Sequence, residues 1–487
     1  ADKNDKTPPI PPPVDVISQT SHSVVINGET VSYQATAGRL ILKAEDEKTG
    51  EKPKAAVFFV AYTRDRPAGA SEAGYVAARP ITFAFNGGPG SSSVWLHLGL
   101  LGPRRVVLEE DGRPLPPPYR LVDNDLSLLD KTDLVFIDPV TTGFSRAVPG
   151  EADKQFHGFK PDIESVGEFI RLYLSRNHRW ASPRYLIGES YGTTRAAGLA
   201  GHLQERHGLY LNGIMLISVV LNFMTLHFAP GNDLPYMLFL PTYAATAHYH
   251  GRLGPGVPAE LPALLAEVEA FAMNEYALAL LRGDALPAEE RAAIANRLAG
   301  YTGLSADYIA RTNLRINIHR FTKELLRDRR RTTGRLDSRY TGIDRDAAGE
   351  YDEFDPSYAL IQGPYTGLLN DYVRRELRFE SDLPYEILSD RVQPWSFDDH
   401  QNTYVNVGET LRQAMSMNPH LRVFVANGYY DLATPYLATR YTFDHLALDE
   451  SLRGNVTTTH YEAGHMMYIH DPSLAQLRAD LVAFLAG

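Results

Sequence analysis

The chain has 487 residues, 44% of them hydrophobic, enough to bury a large core, which excludes a disordered protein. Its net charge of −11 offers no positive field for nucleic acid or an anionic membrane surface, so peptides or other small substrates are the partners to expect. Cysteine is absent, which removes disulfides, thiolate metal sites and thiol catalysis, and no apolar run reaches the roughly 18 residues of a membrane helix.

The chain begins Ala1-Asp2-Lys3-Asn4 and continues into Pro8-Pro9-Ile10-Pro11-Pro12-Pro13, which prefers polyproline II and predicts a flexible, proline-rich leader over 1–19. A start of this kind is what removal of an export signal leaves. A periplasmic or secreted protein is therefore expected, the alternative being a trimmed cytoplasmic one. Asn27-Gly28 between two β-branched stretches predicts a hairpin. Beyond it, short apolar runs alternate with helical segments: Ile81 to Phe85, Leu134 to Ile137, Tyr185 to Ile187, Ile214 to Ile217 and Val423 to Ala426. That alternation predicts an α/β fold with a mostly parallel central sheet flanked by helices. In such a sheet ligands sit beyond the carboxyl ends of the strands, so the residues that follow each run are where chemistry belongs.

Between about Phe228 and Val405 the strand pattern stops. Pro262 to Leu281, Pro287 to Leu298 and Ser305 to Arg331 read as helices, which predicts a helical lid insertion over 228–405 between core segments 20–227 and 406–487.

Gly188-Glu189-Ser190-Tyr191-Gly192 follows a predicted strand and precedes a helical stretch, the context of a nucleophile elbow and of the α/β-hydrolase fold. The glycines leave room for a sharp, strained turn that pushes the serine hydroxyl into the cleft. In this fold the acid and the base follow the nucleophile in chain order. Asp431 ends the loop after Val423 to Ala426, and His465 follows the β-rich Val456 to Tyr461. His465 would take the Ser190 proton and Asp431 would hold the imidazole. His460, within a strand, and His470, at a helix start, are the structural alternatives; Asp444, in a helical stretch, is the alternative to Asp431. The Tyr191 N–H and the Asn86-Gly87-Gly88 loop are the candidate oxyanion donors. That loop has neither a GK[ST] tail nor GxGxxG spacing, so it does not read as a phosphate cradle. No metal motif such as HExxH is present, and no cofactor is expected.

These segments, with Val135-Phe-Ile-Asp-Pro-Val-Thr-Thr-Gly-Phe-Ser145, Asn427-Gly-Tyr-Tyr-Asp431 and Gly464-His-Met466, resemble the serine carboxypeptidases, the family that includes cathepsin A. The resemblance implies release of C-terminal amino acids from peptides through an acyl-enzyme on Ser190, with Gly88 and Tyr191 as oxyanion donors. It also implies that Asn86 and Glu189 bind the substrate's terminal carboxylate, Glu189 sharing a proton with it and so favouring acidic pH. Ala84 stands where the family has tryptophan, Ser91 where it has cysteine, and Leu100 where it has the glutamate that partners Glu189. The carboxyl pair is therefore incomplete.

The gap could be filled by the basic run Arg327-Asp328-Arg329-Arg330-Arg331 with Arg335 and Arg339, whose other reading is a solvated helix face. It could instead mark a drift to an esterase, amidase or acyltransferase on the same triad, which a requirement for a free carboxylate would distinguish. A silent binding protein on the same fold is the third reading, excluded if a fluorophosphonate labels Ser190. Met466 and Tyr191 are candidate walls of the leaving-residue pocket. The oligomeric state, monomer or homodimer, stays open.

Overall fold

The computed structural model describes residues 12–47 and 50–487; the greater part of the leader expected over 1–19 lies outside the described residues. Strand β1 (Val16–Ile26) begins inside the remainder. It pairs antiparallel with β2 (Glu29–Asp46) through the Asn27-Gly28 turn, where both residues take positive φ (50° and 81°). β2 in turn pairs antiparallel with β3 (Gly50–Arg64).

The sheet continues with β4 (Ile81–Phe85), β5 (Asp133–Ile137), β6 (Arg184–Ser190), β7 (Gly213–Val219), β8 (Arg422–Gly428) and β9 (Val456–Tyr461). Its spatial order is β1-β2-β3-β5-β4-β6-β7-β8-β9, and a short strand, Arg146–Ala147, pairs off β3 to complete a ten-stranded sheet. All pairings from β5 to β9 are parallel, so the expected architecture is present.

Strand alternation feeds two cores. Tyr185, Ile187, Met215, Ile217, Phe424 and Ala426 point to one face, which the helices Pro356–Arg375 and Asp471–Ala486 cover. Leu186, Ile214, Leu216, Val423 and Val425 point to the other, under Phe159–Arg176, Tyr191–His207 and Gly408–Met417. Covered on both faces, the central strands carry continuous apolar runs, which is why they were legible. Asp133 ties the strand bottoms together: buried, it accepts from Arg79 Nε at 3.0 Å and pairs with Arg179.

A third core, with Phe239, Tyr243, Leu264, Val268, Leu298 and Phe321, belongs to helices between Leu234 and Glu324, and Leu432 joins it from the segment after β8. The single helix expected over Ser305 to Arg331 is instead two, Ala306–Arg311 and Ile318–Glu324, followed by a 3-10 turn at Arg327–Arg329. Asn313 and Leu314 take φ of 54° and 65°, which stops the first helix, and Asn317 caps the second through the Arg320 N–H at 3.0 Å. No helix among the described residues is long and apolar enough to cross a membrane.

Candidate active site

Strand β6 runs straight into the helix Tyr191–His207, and Ser190 sits at the junction with φ 60° and ψ −130°. The turn tolerates no side chain at its glycines. A Cβ on Gly188 would lie 2.1 Å from the Gly192 carbonyl oxygen, and one on Gly192 would lie 2.8 Å from that of Phe85. Gly87 touches the elbow as well, since a Cβ there would meet the Tyr191 nitrogen at 2.4 Å. The Asn86-Gly87-Gly88 loop therefore lies against the amide that follows the nucleophile.

Asp431 is fully buried and accepts the His465 Nδ1–H on Oδ2 at 2.7 Å. Its Oδ1 accepts from the Ala433 and Thr434 amides at 2.7 and 3.0 Å, and Thr434 Oγ1 donates to Oδ2 at 2.6 Å. Burial works to raise the Asp431 pKa, but His465 and these donors outweigh it and the net shift is down. For His465 burial works downward, and the Asp431 charge with its hydrogen bond turns the net shift up. His465 and Ser190 line one cleft of about 410 Å³.

The histidine loop is braced by residues that the sequence patterns did not single out. The His465 N–H donates to the Leu336 carbonyl at 2.7 Å, and the Gly464 N–H to Asp337 Oδ2 at 3.0 Å. Ser218 Oγ donates to the His465 carbonyl at 2.5 Å. Arg339, part of the basic run, is held by Asp337 at 2.7 Å as part of this brace and does not face the cleft.

Asn86 Nδ2 donates to Glu189 Oε1 at 3.0 Å, while Asn86 Oδ1 accepts from the Leu96 amide and its carbonyl from buried Arg195. Glu189 Oε2 is buried and short of a full hydrogen bond. Burial pushes the Glu189 carboxyl up to about 7, while the Tyr468 hydroxyl beside it works to lower its pKa. Leu100 is fully buried in the hydrocarbon core and is not part of the cleft wall, so nothing polar comes from that position. Met466 lines the cleft, as expected. The Tyr191 ring does not: it packs on Arg195 and Trp395. His460 stacks on Tyr429, and His470 binds Ser473 Oγ, both away from Ser190. Among the described residues no three metal-ligating side chains converge.

The parallel sheet, its flanking helices and the elbow define an α/β-hydrolase fold. The chain's likeness to the serine carboxypeptidases extends beyond the motifs: residues 48–224 match the family model described as serine carboxypeptidase. The chain is 34% identical over 168 residues to the pheromone-processing carboxypeptidase KEX1 of Saccharomyces cerevisiae. That match takes in 32% of this chain and 21% of the yeast protein, so the chain matches about a fifth of the length of that relative. The crystal structure of Kex1(delta)p, a prohormone-processing carboxypeptidase from the same yeast, superposes with a TM-score of 0.57 at 19% identity. It covers 93% of this chain and 91% of that one, which shows the shared fold. The family match contains Asn86, Gly88, Glu189, Ser190 and Tyr191 and ends before Asp431 and His465.

Proposed function

We propose that this chain is a serine carboxypeptidase, with Ser190, Asp431 and His465 as its triad. The observation that carries the reading is the meeting, in one cleft, of Ser190 and His465 with a buried glutamate, Glu189, that Asn86 binds. Ser190 Oγ attacks the carbonyl of the last peptide bond while His465 takes its proton. The oxyanion rests on the Gly88 and Tyr191 N–H groups. His465 then protonates the leaving amine, the last amino acid departs, and water cleaves the acyl-enzyme by the same route. Asp431 holds the imidazole with Nδ1 protonated, so that Nε2 faces the serine. Asn86 and protonated Glu189 hold the substrate's terminal carboxylate. The insertion over 228–405 acts as the lid of the cleft. An exported site of action fits the likeness to a pheromone-processing enzyme, and cell fractionation tests it.

The test is incubation with an N-blocked dipeptide, its C-terminal amide and a p-nitrophenyl ester, with Ser190→Ala as control and products read by mass spectrometry. Release of the last residue from the free acid but not from the amide is expected. Ester turnover without preference for the free acid would make the chain an esterase and sink the peptidase reading.

Glu189 also sets a pH signature. Its carboxyl, raised to about 7, keeps its proton in acid and loses it as pH rises through that value, and its negative charge is among the influences that raise His465. Glu189→Gln cannot ionise. The variant is expected to lose the alkaline decline in kcat/KM for free-acid peptides and to move the acid limb to lower pH, because His465 is then easier to deprotonate. A pH–rate profile that keeps its alkaline limb in the variant would assign that limb to another group.

A further inference from the structure

We propose that Arg335 anchors the free C-terminal carboxylate of the peptide, supplying the positive charge that Asn86 and Glu189 lack. This rests on the carboxypeptidase reading above.

Among the described residues, Arg335 is the only lysine or arginine that lines the catalytic cleft, whose other charged groups include Glu189, Asp355 and Asp390. Its backbone is pinned at both ends: the N–H donates to Asp355 Oδ1 at 3.0 Å, and the carbonyl accepts from the Leu432 N–H, next to Asp431, at 3.0 Å. The following residue, Leu336, takes the His465 N–H. The arginine is thus rooted in the same strap that holds the acid and the base. Its charge reaches the imidazole, where it opposes protonation.

The guanidinium, by contrast, is uncommitted, with no ion-pair or hydrogen-bond partner among the described residues. No other arginine of the basic run lines the cleft among the described residues. Arg327 pairs with Glu324 at 2.5 Å and Arg339 with Asp337 at 2.7 Å, so neither is available to a ligand. A carboxylate entering the cleft meets an amide on Asn86 and, at acidic pH, one proton on Glu189, but no compensating charge from either. A guanidinium fork supplies that charge at any pH of interest and two parallel donors.

The experiment compares wild type, Arg335→Gln and Arg335→Lys on N-blocked dipeptides with an apolar or an acidic last residue, supplied as free acids, and on a p-nitrophenyl ester. The ratio of kcat/KM for the free acid to that for the ester is expected to fall about tenfold or more in R335Q, through KM, and to recover in part in R335K. In parallel, an N-blocked dipeptide with a D-configured last residue and its amide are used as inhibitors of ester hydrolysis. R335Q is expected to lose the preference for the acid over the amide by a similar factor. An unchanged preference would overturn the proposal. So would a loss confined to peptides ending in Asp or Glu, which would make Arg335 a reader of side chains. The inhibition arm needs only ester turnover, so it decides on Arg335 even if wild type releases no amino acid and the carboxypeptidase reading itself fails.

Discussion

Alanine at Ser190 or at His465 is expected to lower kcat by about a millionfold, and asparagine at Asp431 by about ten-thousandfold, all three with the fold retained. The asparagine case follows from the hydrogen bonds around the acid. Oδ1 accepts the Ala433 and Thr434 amides, so the carboxamide oxygen must occupy that site and its NH2 must replace Oδ2. Oδ2 is the atom that accepts the His465 Nδ1–H at 2.7 Å. An NH2 there forces Nδ1 to become an acceptor, which places the imidazole proton on Nε2, and a protonated Nε2 cannot take the Ser190 proton. Ester turnover together with thermal melting checks this. A D431N enzyme within tenfold of wild type would show that the acid lies elsewhere.

Alanine at Gly87 is expected to cost about a hundredfold to a thousandfold in kcat, the loss of one oxyanion donor, and about 1–3 kcal/mol of stability. The added Cβ would meet the Tyr191 nitrogen at 2.4 Å, the Glu189 oxygen at 2.7 Å and the Gly192 nitrogen at 2.7 Å. All three are backbone atoms of the elbow, so no flexible side chain can yield and the loop itself must lift. Lifting it draws Gly88 away from the oxyanion and Asn86 away from Glu189, so KM for free-acid peptides rises too. Denaturant unfolding and steady-state kinetics separate the two effects. A stability loss with kcat preserved would remove this loop from the oxyanion site.

Much of the candidate site was legible because its signals are local. The elbow is one strand, one turn and one helix in succession, and its glycines answer contacts within a few residues or with the adjacent strand. Asp431 and His465 were reachable because parallel strands deliver chemistry at their carboxyl ends and the chain order of the triad is restricted. The helical insertion was harder. Leu234–Tyr249 and Pro356–Arg375 each carry an internal proline, Pro241 and Pro364, which argues against a helix on local grounds. Their burial against neighbouring elements outweighs that cost. The break at Asn313 and Leu314 has no glycine or proline to announce it.

The basic run is the clearest case of what pattern alone leaves open. Arg327, Arg335 and Arg339 are alike in sequence, and tertiary contacts set them apart. Arg327 forms an ion pair with Glu324, Arg335 lies at the cleft with no side-chain partner among the described residues, and Arg339 clamps Asp337 behind the histidine loop. Thr434, Leu336 and Ser218 gained their places in the same way, through hydrogen bonds to residues of the acid and histidine loops. The sequence by itself determined the parallel sheet, the elbow and the identity of the triad candidates, because period, turn chemistry and strand ends are properties of neighbouring residues. Only the tertiary structure decided which side chains brace the His465 loop and which arginine of the basic run lies at the cleft, because those placements depend on distances between segments that no local pattern encodes.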